Sequence, residues 1–318
     1  METNQTIIIS GPTAVGKTAV AVELCKKIKG AIISADSRQI YKYLDIGTNK
    51  EGTLNKNIRQ IDGINQYLTD IINPDQKYSA KNFEKDAQKY EQIILKEQKI
   101  PVIVGGTGLY IKAFLYELDD LPDANELIRK EITNIISEKG LIYIYNLLLK
   151  IDPISANKNK GNTQRLIRAY EIYKITGKSM TELLQNSQKF NKKKNFKHIV
   201  LLKNREDLYK KINERCKNMI NSGMLEETKR VLDMGYSTDC YGLTGVGYRH
   251  IIKYFNNEIS KNELIEKFSQ DTRQYAKRQI TWFSKQKDTT ILNIDNMSFK
   301  NILSKLMNYY YKYKKNSI

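Results

Sequence analysis

Short apolar runs alternating with amphipathic stretches fill the first third of the chain. Thr6–Ser10, Gly30–Ser34 and residues 100–104 are dominated by Ile, Val and Ala, as expected of strands buried on both faces. Before the third run, Ala80, Phe83, Ala87, Tyr90 and Ile94 recur every three or four residues and predict a helix over 80–97. This βα alternation predicts an α/β fold, a parallel-sheet core with helices on both faces. From Leu121 the period turns helical, with helices predicted over 126–138, 141–150 and 164–176. Asp152-Pro153 and a loop at 158–162 separate the last two. Residues 186–197 are polar and lysine-rich and read as an exposed connector, after which 197–202 is again a core strand.

The chain therefore divides into a catalytic core over 1–120 and an inserted, mainly α-helical domain over 121–196. A return to the core follows over 197–290, mostly helical with breaks near Gly235 and at 242–247. The last segment, 291–318, is a Tyr- and Lys-rich tail expected to fray, although that composition also suits RNA contact. No internal repeat is evident.

Charge sharpens this division. The formal net charge is +18, with 16 Lys and Arg against 14 Asp and Glu in residues 1–119, and 37 against 21 beyond. A nearly neutral first part joined to a strongly basic remainder points to a polyanionic partner, nucleic acid foremost, although surface lysines also serve solubility. No apolar run has the length of a membrane span, and the first strand begins too early for a signal peptide. Cys25, Cys216 and Cys240 lie far apart, as expected of unpaired thiols in a reducing cytoplasm, and no zinc pattern is present.

The chemistry concentrates at strand ends. Gly11-Pro12-Thr13-Ala14-Val15-Gly16-Lys17-Thr18 matches the phosphate-loop pattern at every fixed position, between a predicted strand and a predicted helix. Glycines admit phosphate oxygens close to backbone amides, Lys17 offers a cation, and the Thr18 hydroxyl suits a Mg²⁺ shell. Asp36-Ser37-Arg38-Gln39 follows the second predicted strand, on the rim where open α/β sheets bind ligands. The strand at 100–104 runs into Gly105-Gly106-Thr107-Gly108 with no acid after it, and Gly52 stands where a guanine-reading Asn-Lys-x-Asp motif has its aspartate. Phosphate binding is thus well supported and nucleotide hydrolysis poorly so.

Eight blocks together resemble the tRNA dimethylallyltransferase (isopentenyl-tRNA transferase) family in its shorter, bacterial form. They are the phosphate loop, Asp36-Ser37-x-Gln39-Ile40-Tyr41, Asp45-Ile46-Gly47-Thr48, Tyr78-Ser79-Ala80-x-x-Phe83, Gly105-Gly106-Thr107-Gly108-Leu109-Tyr110, Gln164-Arg165-Leu166-x-Arg168-Ala169-x-Glu171, Gly245-Val246-Gly247-Tyr248-Arg249 and Thr272-Arg273-Gln274-Tyr275-Ala276-Lys277-Arg278-Gln279. The resemblance covers roughly residues 5–285 in order, and the tail beyond about 290 matches nothing in it.

The resemblance implies transfer of a dimethylallyl group from dimethylallyl diphosphate to the exocyclic amine of the adenine 3′ of a tRNA anticodon. The loop would then hold the leaving diphosphate, with Lys17 and Mg²⁺ on Thr18 stabilising its charge. Asp36 is the expected base, with a Mg²⁺ contact or a helix N-cap as its other readings. Arg215 is the expected further cation over the phosphates, with Arg205 as the alternative. Thr107 would orient the base, contact the adenine or simply close a turn.

An anticodon adenine must leave its stack to react, so the protein needs base-edge donors and a grip on the loop. Asp36, Ser37, Arg38, Gln39 and Thr107 are candidates for the adenine edge. Gln164, Arg165, Arg168, Gly245, Val246, Gly247, Tyr248, Arg249, Arg273, Lys277 and Arg278 are candidates for the stem-loop, with Tyr275 and Trp282 adding aromatic faces. Residues 245–249 read as a flexible, close-approach loop. His198 and His250 carry no expected catalytic duty. A cytoplasmic monomer without an obligate protein partner is expected. Two other classes fit part of the pattern: a small-molecule or nucleoside kinase, which would turn over ATP without tRNA, and an RNA-binding switch protein without transfer activity.

Overall fold

The computed structural model describes residues 6–56, 58–116, 119, 121–186 and 196–315. It separates into two compact units, one of residues 1–115 with 193–318 and one of residues 116–192. Most of the predicted connector at 186–197 lies outside the described residues.

The first unit opens with β1 (Thr6–Ser10), α1 (Lys17–Ile28) and β2 (Gly30–Ser34). A short ribbon follows, β3 (Thr53–Asn55), β4 (Ile58–Ile61) and β5 (Ile64–Tyr67), then α2 (Ala80–Lys96), β6 (Ile100–Gly105) and α3 (Gly108–Leu115). The second unit holds α4 (Glu126–Lys139), α5 (Leu141–Ile151), α6 (Pro153–Lys158), α7 (Thr163–Thr176) and α8 (Met180–Asn186). The chain then returns through β7 (Phe196–Leu202) and α9 (Arg205–Met219), which a π-helical turn (Ile220–Met224) links to α10 (Leu225–Asp233). The last elements are α11 (Val246–Phe255), α12 (Lys261–Phe283), β8 (Thr290–Asn293) and α13 (Phe299–Lys315).

Among the described residues the strands form one sheet in the order β3-β4-β5-β2-β6-β1-β7-β8. From β5 to β8 neighbours run parallel, and β3 and β4 add an antiparallel edge. β1 is central, with Ile8 opposite Ile103 on one side and His198 on the other. Both β1 and β2 are buried along their whole length, which their apolar sequences require.

The ribbon was hidden by its polarity. Arg59 and Gln66 are only 4% and 5% exposed, yet the sequence there looks like a surface loop. Burial is sustained by pairing: Arg59 and Lys50 both reach the carboxylates of Asp45 and Asp70. The tail is likewise not frayed. α13 buries Ile302, Leu303, Leu306 and Tyr310 along one stripe and packs on α1 and β7, leaving its lysines outward.

The second unit carries its own core of Ile132, Ile144, Leu148, Ala156, Leu166 and Ala169. Asn125 caps α4 through the Leu127 and Ile128 N–H groups. Asp152 caps α6 at Ser155 and also receives the Thr181 N–H and hydroxyl, tying α8 down.

Candidate active site

Three neighbouring strands deliver the site. β1 runs into residues 11–18, β2 into Asp36 and β6 into Thr107. Because the sheet order is β2-β6-β1, these segments lie side by side at the C-terminal ends of the strands. Backbone bonds continue the pairing past the strands: Ala35 N–H donates to Val104 O at 2.8 Å, and Thr107 N–H to Ala35 O at 3.1 Å. Ser37 N–H then donates to Thr107 Oγ1 at 3.0 Å. Thr107 thereby fixes the segment that carries Asp36.

Asp36 Oδ1 accepts the Arg38 N–H at 2.8 Å, a local turn in which the chain does not go on into a helix. The N-cap alternative for Asp36 is therefore not realised.

In the loop at 11–18, Lys17 Nζ donates to Pro12 O at 2.7 Å, so the ammonium lies back over the loop. Burial lowers its pKa to about 8; the Asp36 charge opposes this and the Arg215 charge adds to it. No side chain caps the start of α1, where Thr18 sits, so its N-terminal amides remain directed at the loop. Arg215, from the middle of α9, donates to the Thr13 hydroxyl, while its Nε is buried without a hydrogen-bond partner. Burial lowers the Arg215 pKa, and the charges of Asp36 and Glu51 pull it back. Arg205, the alternative cation, is exposed at the first turn of α9. Lys17, Arg215 and Asp36 are thus electrostatically coupled around one loop.

α12 closes over this rim. Gln279 is 6% exposed; its Oε1 accepts the Thr13 N–H at 2.8 Å and its Nε2 donates to Gly106 O at 2.9 Å. One amide thereby bridges the loop after β1 and the turn after β6. The approach requires glycines. A Cβ at Gly106 would stand 2.2 Å from Gln279 Nε2, and one at Gly108 would stand 2.0 Å from Trp282 Nε1. Tyr275 lies one turn before Gln279 on α12, and burial pushes its pKa up to about 12.

A family model described as IPP transferase matches residues 39–286. The chain belongs to the IPP transferase family. Related proteins extend the likeness over nearly its full length. The tRNA dimethylallyltransferase of Endomicrobium trichonymphae is 54% identical over 287 residues, 90% of this chain and 94% of that protein. The full-length tRNA isopentenylpyrophosphate transferase of Bacillus halodurans superposes with a TM-score of 0.72 at 32% identity, over 99% of this chain and 98% of the other. A eukaryotic dimethylallyltransferase, caught acting on tRNA, gives a TM-score of 0.78 at 26% identity, over 98% of this chain and 80% of the other.

Several positions of this IPP transferase singled out for RNA are occupied by internal bonds. The Gln39 amide donates to the Thr48 and Asn49 carbonyls and accepts from Ser34 Oγ, so it braces the chain. Arg38 Nη1 donates to Tyr241 O and Thr244 Oγ1, anchoring the loop before α11. Residues 246–249 are the first turn of α11, not a flexible loop; Gly245 and Gly247 are buried and Val246 is half-buried. Tyr248 is 1% exposed and donates to Glu227 Oε1 at 2.7 Å. Arg249 pairs with Asp271, which also bonds His250.

Other candidates remain available. Lys277 and Arg278 are exposed on α12, Arg278 over the Tyr275 ring, and Arg273 bonds Asn213 on α9. Within the second unit Gln164 and Arg165 are exposed on α7, whereas Arg168 joins Arg129 on the fully buried Glu171 carboxylate.

Two structural anchors escaped the sequence reading. Gln279 lay inside a quoted motif but had no assigned task. Glu227, 1% exposed, accepts the N–H groups of Asp45, Ile46 and Gly47 as well as the Tyr248 hydroxyl. Nothing in its local sequence marks it.

Proposed function

We propose that this protein transfers a dimethylallyl group from dimethylallyl diphosphate to the exocyclic amine of the adenine 3′-adjacent to the anticodon (position 37) of tRNA, releasing diphosphate. The observation that carries this reading is the pairing of a phosphate loop, lined by Lys17 and Arg215, with a carboxylate two strands away, the two joined through Thr107 and Gln279.

Breaking the donor C–O bond leaves its electron pair on diphosphate. Lys17, Arg215 and the uncapped amides of α1 meet that charge, and the burial of the two cations strengthens each contact. The amine nitrogen forms the new N–C bond, and its proton passes to Asp36, held in place by the Ser37–Thr107 bond. Gly11, Pro12, Thr13, Ala14, Val15, Gly16, Lys17 and Thr18 form the diphosphate cradle.

Magnesium fits this donor set. Among the described residues no group of three or more His, Cys, Asp or Glu could hold a metal, and the Thr18 hydroxyl and the Asp36 carboxylate are the proposed donors. Both are hard oxygens, and an ion that keeps most of its shell for phosphate and water suits them. When bound, Mg²⁺ would neutralise charge on the diphosphate.

Exposed Gln164 and Arg165, with Lys277 and Arg278, are the proposed contacts to the anticodon stem-loop, and the second unit is proposed to bind tRNA. A monomer is the proposed active form. No helix among the described residues is long and apolar enough to cross a membrane.

The test is nucleoside mass spectrometry of an unmodified tRNA bearing an adenine 3′ of its anticodon, after incubation with the protein, Mg²⁺ and dimethylallyl diphosphate. A dimethylallyl mass gain on adenosine is expected. No gain, with ATP consumption in a parallel reaction, would overturn the reading in favour of a kinase.

A further inference from the structure

The ladder between β1 and β6 ends at Ser10 opposite Gly105, just where the chemistry begins. Beyond it the two chains part, one into the loop at 11–18 and the other into the turn that carries Thr107. Gln279 of α12 spans the gap. Its Oε1 accepts the Thr13 N–H at 2.8 Å and its Nε2 donates to Gly106 O at 2.9 Å. A backbone N–H can only donate and a carbonyl can only accept, so these partners fix which way the amide faces. The side chain thus does what one more peptide group of a strand would do. Gln279 is 6% exposed, and losing its second bond would strand the buried Gly106 carbonyl.

Each end of that bridge leads to one side of the transfer proposed above. Thr13 belongs to the diphosphate cradle, and its hydroxyl receives Arg215. Gly106 precedes Thr107, whose Oγ1 accepts the Ser37 N–H at 3.0 Å beside Asp36. α12 has little freedom to slide along this contact. Trp282, three residues on, closes against Gly108, where a Cβ would stand 2.0 Å from its Nε1. Arg273 donates to Asn213 at 2.5 Å and Thr272 meets Cys216 at 3.7 Å, so α12 is also tied to α9, the helix that bears Arg215. In-line transfer needs the amine nitrogen about 3–3.5 Å from the carbon it attacks, and a misplacement of about 1 Å can cost about 10²-fold. The spacing between the cradle and the Asp36 segment is therefore critical to rate.

We propose that Gln279 is a positioning residue that sets this spacing, holding the diphosphate cradle at a fixed distance from the segment that activates the amine. This inference rests on the transferase reading above. Gln279 touches neither substrate, and no bond to it is made or broken in the transfer. Its loss therefore acts on the rate of the bound complex. Donor and tRNA each still find their own side of the site, but at the wrong separation.

The experiment uses the full chain, saturating dimethylallyl diphosphate and a synthetic anticodon stem-loop, and compares wild type, Gln279→Leu and Gln279→Glu between about pH 5.5 and 8.5. Leucine keeps the bulk and removes both bonds. Its single-turnover rate is expected to fall about 10²-fold, with affinity for a non-reactive diphosphate analogue within about threefold of wild type. A protonated glutamic acid can accept from Thr13 and donate to Gly106, whereas the ionised form has no donor and sets charge against the Gly106 carbonyl. The rate of Gln279→Glu relative to wild type is therefore expected to be highest at acid pH and to fall as pH rises. A purely structural role would lower the melting temperature without giving this ratio a slope. A flat ratio overturns the proposal, and it decides the matter even where the leucine variant does not fold. A folded leucine variant within threefold of the wild-type rate, or one whose loss lies wholly in analogue affinity, overturns it too. Absence of transfer by the wild type would instead mean that the transferase reading itself has failed.

Discussion

The Arg215 guanidinium bonds the Thr13 hydroxyl from 202 residues away in the chain, and its Nε is buried with no partner of its own. A buried cationic donor without a partner is costly unless a ligand arrives to meet it, and the phosphate loop is where one would arrive. Arg215→Ala is therefore expected to slow single-turnover transfer by about 10²-fold or more, the usual effect of losing one donor to developing charge. tRNA affinity should be unchanged. Filter binding of labelled tRNA alongside the rate measurement separates the two.

Lys17 sets a pH limit on donor binding. Burial favours its neutral form, so the free site holds an ammonium only below about pH 8. A bound diphosphate favours the charged form. Binding below about pH 8 should therefore take up no proton at this residue. Above it, about one proton should be taken up, with affinity falling about tenfold per pH unit. Calorimetry of a non-reactive diphosphate analogue in buffers of differing ionisation enthalpy reads the uptake directly. Lys17→Arg should abolish the dependence.

Tyr248 and Glu227 form a structural bond, so their variants should affect folding before RNA. Glu227→Ala would leave three backbone N–H groups and a phenol without their carboxylate, at a cost of about 3 kcal/mol or more. Tyr248→Phe removes one bond to a charged group, about 1.5–3 kcal/mol. Chemical denaturation gives both values. An unchanged tRNA affinity in Tyr248→Phe at a temperature where it is folded would confirm that this tyrosine is core.

The two arginines of α7 should behave differently. Arg165 is exposed, and Arg165→Ala is expected to weaken tRNA binding modestly and to reduce the slope of log affinity against log salt by about one. Arg168 helps to neutralise the fully buried Glu171, so Arg168→Ala should lower the melting temperature. Salt titrations and melting curves on the two variants distinguish these outcomes.

The sheet was legible wherever strands are apolar throughout. β1 and β2 were read to the residue, and α2, α4, α5 and α7 to within a residue or two, because their stripes are unbroken. The ribbon was missed because Arg59 and Gln66 are buried by ionic and amide pairing that one-dimensional patterning cannot register. At the candidate site, the loop at 11–18, Asp36 and Thr107 were singled out by residue type, and the fold brings them to neighbouring strand ends. For Gln39 and Arg38 residue type did not disclose the internal bonds that each makes. An amide or a guanidinium serves equally well to brace backbone carbonyls, and only the fold reveals which carbonyls lie within reach.

The position of β7 has a consequence for synthesis. β1 leaves the ribosome long before β7, one of its two neighbours, which is not made until residues 196–202, with the whole second unit in between. Until then the central strand of the finished sheet is an open edge, able to pair with whatever strand it meets. Gln279, which fastens the phosphate loop, emerges later still. The nascent chain thus carries the loop at 11–18 unfastened until α12 is made, and a pause between codons 115 and 196 would prolong that exposure.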